Sequence, residues 1–311
     1  MDEIRSLNKV LKEVRKAVSG KDEVLVRVLL AILARGHILL EDIPGVGKTT
    51  LALAFARALH LQFQRVQFTP DVMPSDLTGF SIFNKSTGKI EYQPGALLCN
   101  LFLADELNRA TSRTQSALLE AMEEGQVTVD GISHPVMQPF LVIATQNPSG
   151  TSGTQPLPSS QLDRFALRLS IGYPDRAAEA DIVRRRQSGN PLDTVEQALS
   201  PRELEALRVA ADRVYLSDEV LDYLLRLVDA TRSHPSILQG ASPRATLTLA
   251  AVSRAMALTR GRDYVIPEDI SDVFPDVIAH RLIYSAPLQE RSAESALLID
   301  LVRSVEAPQL R

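Results

Sequence analysis

The sequence predicts an α/β fold, in which a parallel sheet is flanked by helices, followed by an all-helical second domain. Up to Gly172, short apolar segments alternate with helical patterns, and such alternation is typical of a parallel sheet covered by helices. The segments are almost continuously apolar, as expected of strands that are buried on both faces. After Gly172 the strand patterns stop, and Pro174-Asp175 opens a helical region that continues to the C-terminus. The predicted domains are therefore residues 1–172 and 173–311.

The elements of the first domain follow from the spacing of its apolar residues. The N-terminal segment alternates charged and aliphatic side chains, which predicts an amphipathic helix and not a signal peptide. Residues 49–59 are predicted to be helical, because Leu51, Phe55 and Leu59 share one face. The predicted strands are 38–40, 66–68, 101–104, 140–144 and 167–171.

Turn and cap residues predict the remaining elements. Helix starts in the second domain are predicted at Ser200-Pro201, Ser242-Pro243 and Ile266-Pro267. In the first domain, residues 80–92 predict a β-hairpin that turns at 85–89. Residues 125–136 predict a second hairpin with its turn at Asp130-Gly131, a pair that favours tight hairpin turns. Neither hairpin is needed to complete the sheet, so both are candidates for contacts with another molecule.

The overall composition restricts the function classes. With 311 residues the chain is long enough for about two ordinary domains. The net charge of -4 and the pI of about 5.8 argue against a general nucleic-acid-binding surface. The single cysteine, Cys99, cannot form a disulfide framework or a zinc site, which suits a reducing cytosol. The longest apolar run, 28–34, is too short to cross a bilayer. We therefore expect a cytoplasmic protein without membrane insertion.

The segment LLEDIPGVGKTTLA, residues 39–52, has the order of a phosphate-binding loop, in which an apolar strand leads through a glycine loop into an apolar helix. Glycines let backbone N–H groups face phosphate oxygens, and the N-terminus of the helix attracts the same anion. Lys48 is expected to reach the β- and γ-phosphates, and Thr49 to bind Mg²⁺. Asp42 stands where the usual pattern has its first glycine. The expected nucleotide-binding residues of the loop are Pro44, Gly45, Val46, Gly47, Lys48, Thr49 and Thr50.

Polar side chains end two of the predicted strands. Asp105 and Glu106 follow an apolar strand, although carboxylates are costly to bury. Beside a phosphate-binding loop, Asp105 is expected to help hold Mg²⁺, and Glu106 to orient and polarise the attacking water. Asn147 ends another apolar strand. Its amide could bind the γ-phosphate or that water, or it could simply start the turn before Pro148.

Two arginines are candidates for phosphate contacts. Arg164 precedes the last predicted strand and could pair with Asp163 locally. It could instead reach the nucleotide of a neighbouring subunit, because a guanidinium matches γ-phosphate oxygens. Arg244 lies in the first turn of a predicted helix, where the helix dipole disfavours a cation. An anionic partner would explain that position.

Together these motifs resemble the AAA+ ATPases and, within them, the MoxR family. The resemblance covers nearly the whole chain, at residues 37–49, 67–79, 101–127, 144–148, 156–165, 240–245 and 261–270. It implies the following roles: Walker A for Lys48 and Thr49, Walker B for Asp105 and Glu106, sensor 1 for Asn147, the arginine finger for Arg164, and sensor 2 for Arg244. Val18 and Gly20 match the segment that lines the adenine pocket, and the two hairpins resemble insertions that mark this branch of the AAA+ proteins.

The resemblance also implies an activity and partners. The protein would be an ATP- and Mg²⁺-dependent chaperone that remodels, assembles or activates a client protein complex. It would form a homo-oligomeric ring, expected to be a hexamer, and work with a von Willebrand factor A domain protein. Family members commonly carry acidic residues where this chain has 149–153, SGTSG, so the contacts that such a loop makes between subunits are not carried over.

Three alternatives remain open from sequence. A ring-forming nucleic-acid motor is one, although the pI of about 5.8 argues against it. A nucleotide-gated assembly scaffold with little turnover is another, against which the intact Glu106 and Arg164 argue. A small-molecule kinase is the weakest, because no separate motif for an acceptor substrate is found.

Overall fold

The structure is a computed structural model, and it describes residues 2–147, 156–286 and 291–309. Pro148 and the segment 149–153 lie outside the described residues. The helices are α1 (Asp2–Val14), α2 (Asp22–Leu33), α3 (Lys48–Ala58), α4 (Pro74–Thr78), α5 (Ser112–Glu124), α6 (Ser159–Leu162), α7 (Arg176–Gln187), α8 (Pro201–Asp212), α9 (Asp218–Ser233), α10 (Pro243–Thr259), α11 (Pro267–Ile278) and α12 (Arg291–Ser304). The strands are β1 (His37–Glu41), β2 (Phe63–Gln67), β3 (Gly79–Asn84), β4 (Lys89–Pro94), β5 (Leu101–Asp105), β6 (Gln126–Val129), β7 (Ile132–Pro135), β8 (Leu141–Gln146), β9 (Phe165–Leu169), β10 (Ile237–Gln239) and β11 (Ile283–Tyr284).

A five-stranded parallel sheet, in the order β2-β5-β8-β1-β9, organises the first part of the chain. The predicted α/β class is confirmed. The sequence placed β2 too far along the chain, at 66–68, whereas the strand begins at Phe63. The reason is that β2 is an edge strand whose residues are exposed or half-buried, so it lacks the continuous apolar pattern of the inner strands.

The sheet separates two hydrophobic cores. Along β1, Ile38 and Leu40 face the core formed with α1, α2, α3 and the C-terminal helices, whereas Leu39 faces the other core. That second core contains Leu118 of α5 and Phe102 of β5. Because successive side chains of a strand point to opposite faces, an inner strand with both faces covered is apolar at most of its positions.

Both predicted hairpins are confirmed. Strands β3 and β4 pair from Gly79↔Pro94 to Asn84↔Lys89, and β6 and β7 pair around the Asp130-Gly131 turn. The ring of Tyr92 in the first hairpin stacks on His134 of the second, with 3.7 Å between ring centroids. The two hairpins therefore contact each other.

The C-terminal part is helical, and α8, α10 and α11 begin at the predicted prolines. The hydroxyls of Ser200 and Ser242 accept hydrogen bonds from backbone N–H groups in the first turns of α8 and α10. One feature was missed, since β10 and β11 form a short antiparallel pair in this region. Strands of three and two residues are too short to give an alternating pattern. Among the described residues, no helix is long and apolar enough to cross a membrane.

Candidate nucleotide-binding site

The loop between β1 and α3 has the backbone of a phosphate-binding loop. Gly45 and Gly47 adopt φ values of 86° and 96°, in a region that residues with a side chain rarely enter. A β-carbon on either glycine would meet nothing within 4 Å. Backbone conformation, and not crowding, therefore demands glycine here. Helix α3 begins directly after the loop, at Lys48, so its N-terminus faces the same space.

The Lys48 side chain is held across the loop. Its Nζ donates to the backbone carbonyls of Asp42, at 2.8 Å, and Ile43, at 3.3 Å. Burial lowers the pKa of Lys48, and the negative charges of Asp42, Asp105 and Glu106 oppose that shift. A partly buried ammonium beside carboxylates is well placed to bind phosphate oxygens.

Asp42, at the position of the usual first glycine, connects the loop to the chain beyond β9. Its carboxylate accepts hydrogen bonds from the backbone N–H groups of Ile171, at 2.5 Å, and Gly172, at 2.8 Å. It also accepts from the Ser170 hydroxyl, at 3.0 Å. The carboxylate is thus used structurally, and sequence reasoning assigned it no role.

The polar residues at the strand ends converge on one cavity of about 370 Å³. Its lining residues are Pro44, Gly45, Gly47, Lys48, Thr49, Arg65, Gln67, Asp105, Glu106 and Asn147. The parallel strands β1, β5 and β8 all end at this edge of the sheet, so their polar ends meet. Sequence reasoning missed Arg65 and Gln67, because the exposed edge strand β2 carries no recognisable motif.

This donor set fits a nucleotide with Mg²⁺. The hydroxyl of Thr49 and the carboxylate of Asp105 are the hard oxygen ligands that Mg²⁺ takes when phosphates and water complete its shell. Among the described residues, no group of three or more His, Cys, Asp or Glu side chains could hold a metal ion.

Both oxygens of Asp105 have partners. Arg65 Nη2 lies 2.7 Å from Oδ2, and the Thr145 hydroxyl donates to Oδ1 at 2.7 Å. The same Thr145 oxygen accepts the backbone N–H of Glu106 at 2.9 Å. Thr145 of β8 therefore aligns the two consecutive acids at the end of β5.

The Glu106 carboxylate is fixed from two sides. Asn147 Nδ2 donates to Oε1 at 3.3 Å, and Arg109 Nη1 donates to Oε2 at 2.8 Å. The backbone of Glu106 is left-handed, with φ 58° and ψ 45°. Left-handed residues other than glycine cluster at functional sites, where the surrounding structure compensates their strain. The site thus controls the direction in which this acid points.

A second cavity, of about 420 Å³, adjoins the loop. Val18 lines it from the segment after α1, and Gly45, Val46, Gly47 and Thr50 line it from the loop and α3. Ile182 of α7 and Leu192 close it from the C-terminal part, a contribution that the sequence did not reveal. The mixture of apolar walls and a few polar groups suits a nucleobase.

Gly20 does not line this cavity but shapes it. Its φ is 68°, and a β-carbon there would lie 2.6 Å from the β-carbon of Ala178. Glycine at this position therefore lets the segment after α1 pack directly against α7. Lys21 supports the same junction by donating to the carbonyl of Tyr173 at 2.7 Å.

The two arginines lie together, away from the loop. Arg164 lies 3.0 Å from the Glu123 carboxylate, and Arg244 donates to the other oxygen of the same group. Asp163 does not take Arg164. It accepts from the Ser242 hydroxyl at 2.9 Å and pairs with Arg281 at 3.3 Å. The local Asp163–Arg164 pair that the sequence left open is therefore not formed.

The cleft around these arginines, of about 300 Å³, opens beside residues 34–37 at the start of β1. The phosphate-binding loop follows the other end of β1, and a five-residue strand spans about 16 Å. Neither Arg164 nor Arg244 lines the two cavities at the loop. Within one subunit, the arginines therefore lie at the amino-terminal ends of the sheet strands and the loop lies at their carboxyl-terminal ends.

Comparisons with known proteins agree with this geometry. Residues 37–167 match the family model of the ATPases associated with various cellular activities (AAA), and 229–300 match an AAA lid domain. The chain is 42% identical to YeaC of Bacillus subtilis (strain 168), an uncharacterized protein, over 97% of this chain and 95% of that one. It is 39% identical to the chaperone MoxR1 of Mycobacterium tuberculosis, over 99% and 84% of the two chains.

Two further relatives complete the comparison. The chain is 32% identical to the protein MoxR of Methylorubrum extorquens, over 94% of this chain and 92% of that protein. A crystal structure from Cytophaga hutchinsonii, assigned as an ATPase, superposes with a TM-score of 0.89 at 37% identity, over 99% and 96% of the two chains. The two family-model matches and the identity over nearly the full length of these relatives place the chain among the AAA ATPases. The chain therefore belongs to the MoxR family of AAA+ ATPases, as an ATP-hydrolysing enzyme and a MoxR-like chaperone.

Proposed function

We propose that the protein couples ATP hydrolysis to the remodelling, assembly or activation of a client protein complex. The observation that carries the proposal is the cavity in which Lys48, Thr49, Asp105, Glu106 and Asn147 meet. A lysine for phosphate, a hydroxyl and a carboxylate for Mg²⁺, and a second carboxylate for water are the groups that phosphoryl transfer to water needs. Mg²⁺ held by Thr49 and Asp105 would neutralise charge on the phosphates.

Each residue then has a separate task. Lys48 binds the β- and γ-phosphate oxygens. Glu106 takes a proton from the attacking water, and Asn147, which donates to Glu106, keeps carboxylate, water and phosphate aligned. The adenine ring of the nucleotide lies in the cavity lined by Val18, Val46 and Thr50, and Gly20 shapes the wall of that cavity. Paired carboxylates suit the activation of water, and the sequence carries no separate acceptor-substrate motif, which favours hydrolysis over a small-molecule kinase.

We propose that the active site is shared between subunits of a homo-oligomeric ring, expected to be a hexamer. Arg164 and Arg244 lie at the edge of the sheet opposite their own loop, which argues against a contact with their own nucleotide. In contact with the nucleotide of the adjacent subunit, the two arginines would stabilise negative charge on the γ-phosphate of that nucleotide. Arg244 belongs to the helical part, so loss of that phosphate would change the contact between lid and neighbour.

The two hairpins are the proposed contact surface for the client. Phe83 and Ile90 of the first and Ile132 of the second expose 63%, 74% and 62% of their surface. Clustered exposed apolar side chains are typical of surfaces that bind another protein.

The partner with a von Willebrand factor A domain is proposed from the family alone. The domain boundary is proposed between 172 and 173, where Asp42 holds the chain as it leaves the sheet.

Steady-state ATPase activity per subunit, measured against protein concentration, tests the proposal. Activity should rise cooperatively as the ring assembles and should be lost in Glu106→Gln. Glu120→Gln, at an exposed position of α5, is the matched control and should behave like the wild type. If size-exclusion chromatography shows that the protein changes from monomer to oligomer while the activity per subunit stays constant, a shared site is contradicted.

A further inference from the structure

We propose that Glu123 is a positioning residue that holds Arg164 and Arg244 side by side as one paired cation site for the phosphate of a neighbouring subunit. This inference rests on the proposed function, in which the two arginines act across a subunit interface. Sequence reasoning assigned no role to Glu123. In the structure, both arginines converge on its carboxylate.

The geometry is that of a single carboxylate serving two arginines from separate elements. Arg164 Nη2 lies 3.0 Å from Oε2, and Arg244 Nη2 donates to Oε1. Glu123 lies in the last turn of α5, Arg164 directly precedes β9, and Arg244 lies in the first turn of α10. The carboxylate thus connects the sheet domain with the helical part at the place where each contributes an arginine.

Electrostatics explains why such a residue is needed. Two guanidinium groups close enough to share one carboxylate repel each other. A third, Arg281, lies nearby, and burial together with the charge of Arg244 contributes to lowering its pKa to about 10. Asp163 pairs with Arg281, which leaves Glu123 to offset the charges of Arg164 and Arg244. Without Glu123, repulsion would drive these two side chains apart into solvent.

The pairing leaves the arginines able to bind phosphate. Each guanidinium uses one terminal nitrogen for Glu123, whereas an arginine carries five N–H donors. The side chains of Arg164 and Arg244 remain 31% and 43% exposed in the open cleft. Their remaining donors can therefore form the forked hydrogen bonds that guanidinium groups make with phosphate oxygens.

The contribution of Glu123 to folding is expected to be small. Its side chain is 40% exposed, and exposed ion pairs contribute about 0–1 kcal/mol to stability. A large loss of activity with little change in the unfolding midpoint would therefore report positioning and not structural support.

The test compares Glu123→Ala with Glu120→Ala, a matched change one turn earlier on the exposed side of α5. Glu123→Ala should lower kcat about tenfold to a hundredfold, the range for loss of a partner that orients a functional side chain. Binding of a fluorescent ATP analogue to the subunit's own loop and the unfolding midpoint should stay unchanged. Glu123→Gln, which keeps an acceptor oxygen but no charge, should fall between Glu123→Ala and the wild type. Wild-type kcat in Glu123→Ala, or an equal loss in Glu120→Ala, would overturn the proposal.

Mixed rings identify the site on which Glu123 acts. Glu123→Ala mixed with Glu106→Gln should regain activity, because an intact loop meets an intact arginine pair at some interfaces. Glu123→Ala mixed with Arg164→Ala should not regain activity, because both variants lack an intact arginine pair and no interface in the mixed ring is complete. If Arg164→Ala mixed with Glu106→Gln stays inactive while the rings assemble, the shared site itself fails. If that mixture regains activity but Glu123→Ala with Glu106→Gln does not, the role of Glu123 alone is overturned.

Discussion

The carboxylate of Asp42 accepts the backbone N–H of Gly172 at 2.8 Å. It joins the start of the phosphate-binding loop to the point where the chain leaves the sheet for the helical part. Asp42, which replaces the first glycine of the usual motif, therefore connects the phosphate-binding loop to the segment that follows β9.

Replacing Asp42 by alanine should destabilise the protein. The change removes the acceptor of three backbone N–H groups, those of Ile43, Ile171 and Gly172, and each unsatisfied buried donor costs about 1–3 kcal/mol. We expect the free energy of unfolding to fall by at least about 2 kcal/mol. Urea denaturation measures it, with the exposed Asp71→Ala as control. Equal stability of the two variants would show that the chain satisfies these donors in another way.

Lys48→Ala should weaken ATP binding by at least about tenfold, because charge-assisted hydrogen bonds to phosphate are strong. The buried Nζ is held across the loop by two carbonyls, so the ammonium is already oriented. Fluorescence titration with an ATP analogue measures the affinity, and Lys89→Ala on the first hairpin is the control. Retained affinity would remove the phosphate-binding role from this lysine.

Glu106→Gln should bind ATP with near wild-type affinity but hydrolyse it at least about a hundredfold more slowly, because an amide cannot accept the proton of the attacking water. The amide can still receive the hydrogen bond from Arg109, so the local structure should persist. Single-turnover hydrolysis is the decisive measurement. Turnover at the wild-type rate would exclude Glu106 as the base.

Arg164→Ala should lose turnover while its own loop still binds ATP, because the arginine lies at the far edge of the sheet. Mixing it with Lys48→Ala should restore part of the activity, since some interfaces then combine an intact loop with an intact arginine. ATPase assays on mixtures of sized oligomers measure this. Absence of restoration in assembled rings would indicate that Arg164 acts within its own subunit or not at all.

Acid should destabilise the fold through His37. Burial lowers the pKa of this histidine from 6.5 to about 4. Its Nδ1 accepts a hydrogen bond from the backbone N–H of Val142, and its Nε2 donates one to the backbone carbonyl of Met122. Because the folded pKa lies below the unfolded value, the stabilising effect is complete above pH 6.5 and is lost as pH falls toward 4. The loss amounts to about 3 kcal/mol.

Urea unfolding between pH 4 and 7 should therefore give a shallower pH dependence for His37→Phe than for the wild type. The slope should decrease and not vanish, because burial also lowers the pKa of His280. The exposed His60→Asn is the control and should keep the wild-type slope. Identical slopes for His37→Phe and the wild type would contradict a neutral buried His37.

The sequence predicted what is encoded in contiguous segments. The loop from Pro44 to Thr50, the acids at 105–106 and the hairpin turn at Asp130-Gly131 each depend on neighbouring residues, and the structure brings the first two into one cavity. The roles of these residues remain predictions until they are tested by mutation.

The residues that the sequence missed act through partners far along the chain. Arg65 meets Asp105 from an exposed edge strand, and Glu123 meets Arg244 across 121 positions. An exposed charged residue on a helix or strand gives no pattern that distinguishes such a contact from simple solvation. These contacts therefore require the fold.

Helix α5 has a consequence for communication around a ring. Arg109, which holds Glu106, lies three residues before its first residue, and Glu123, which holds the two arginines, lies in its last turn. Thirteen residues of helix make a rod of about 20 Å, and the second hairpin continues directly from its far end. In the proposed ring, α5 would connect the hydrolytic site of its own subunit to the arginine pair that completes the site of one neighbour. A movement of α5 would therefore pass from site to site in a single direction around the ring, and it would also move the second hairpin.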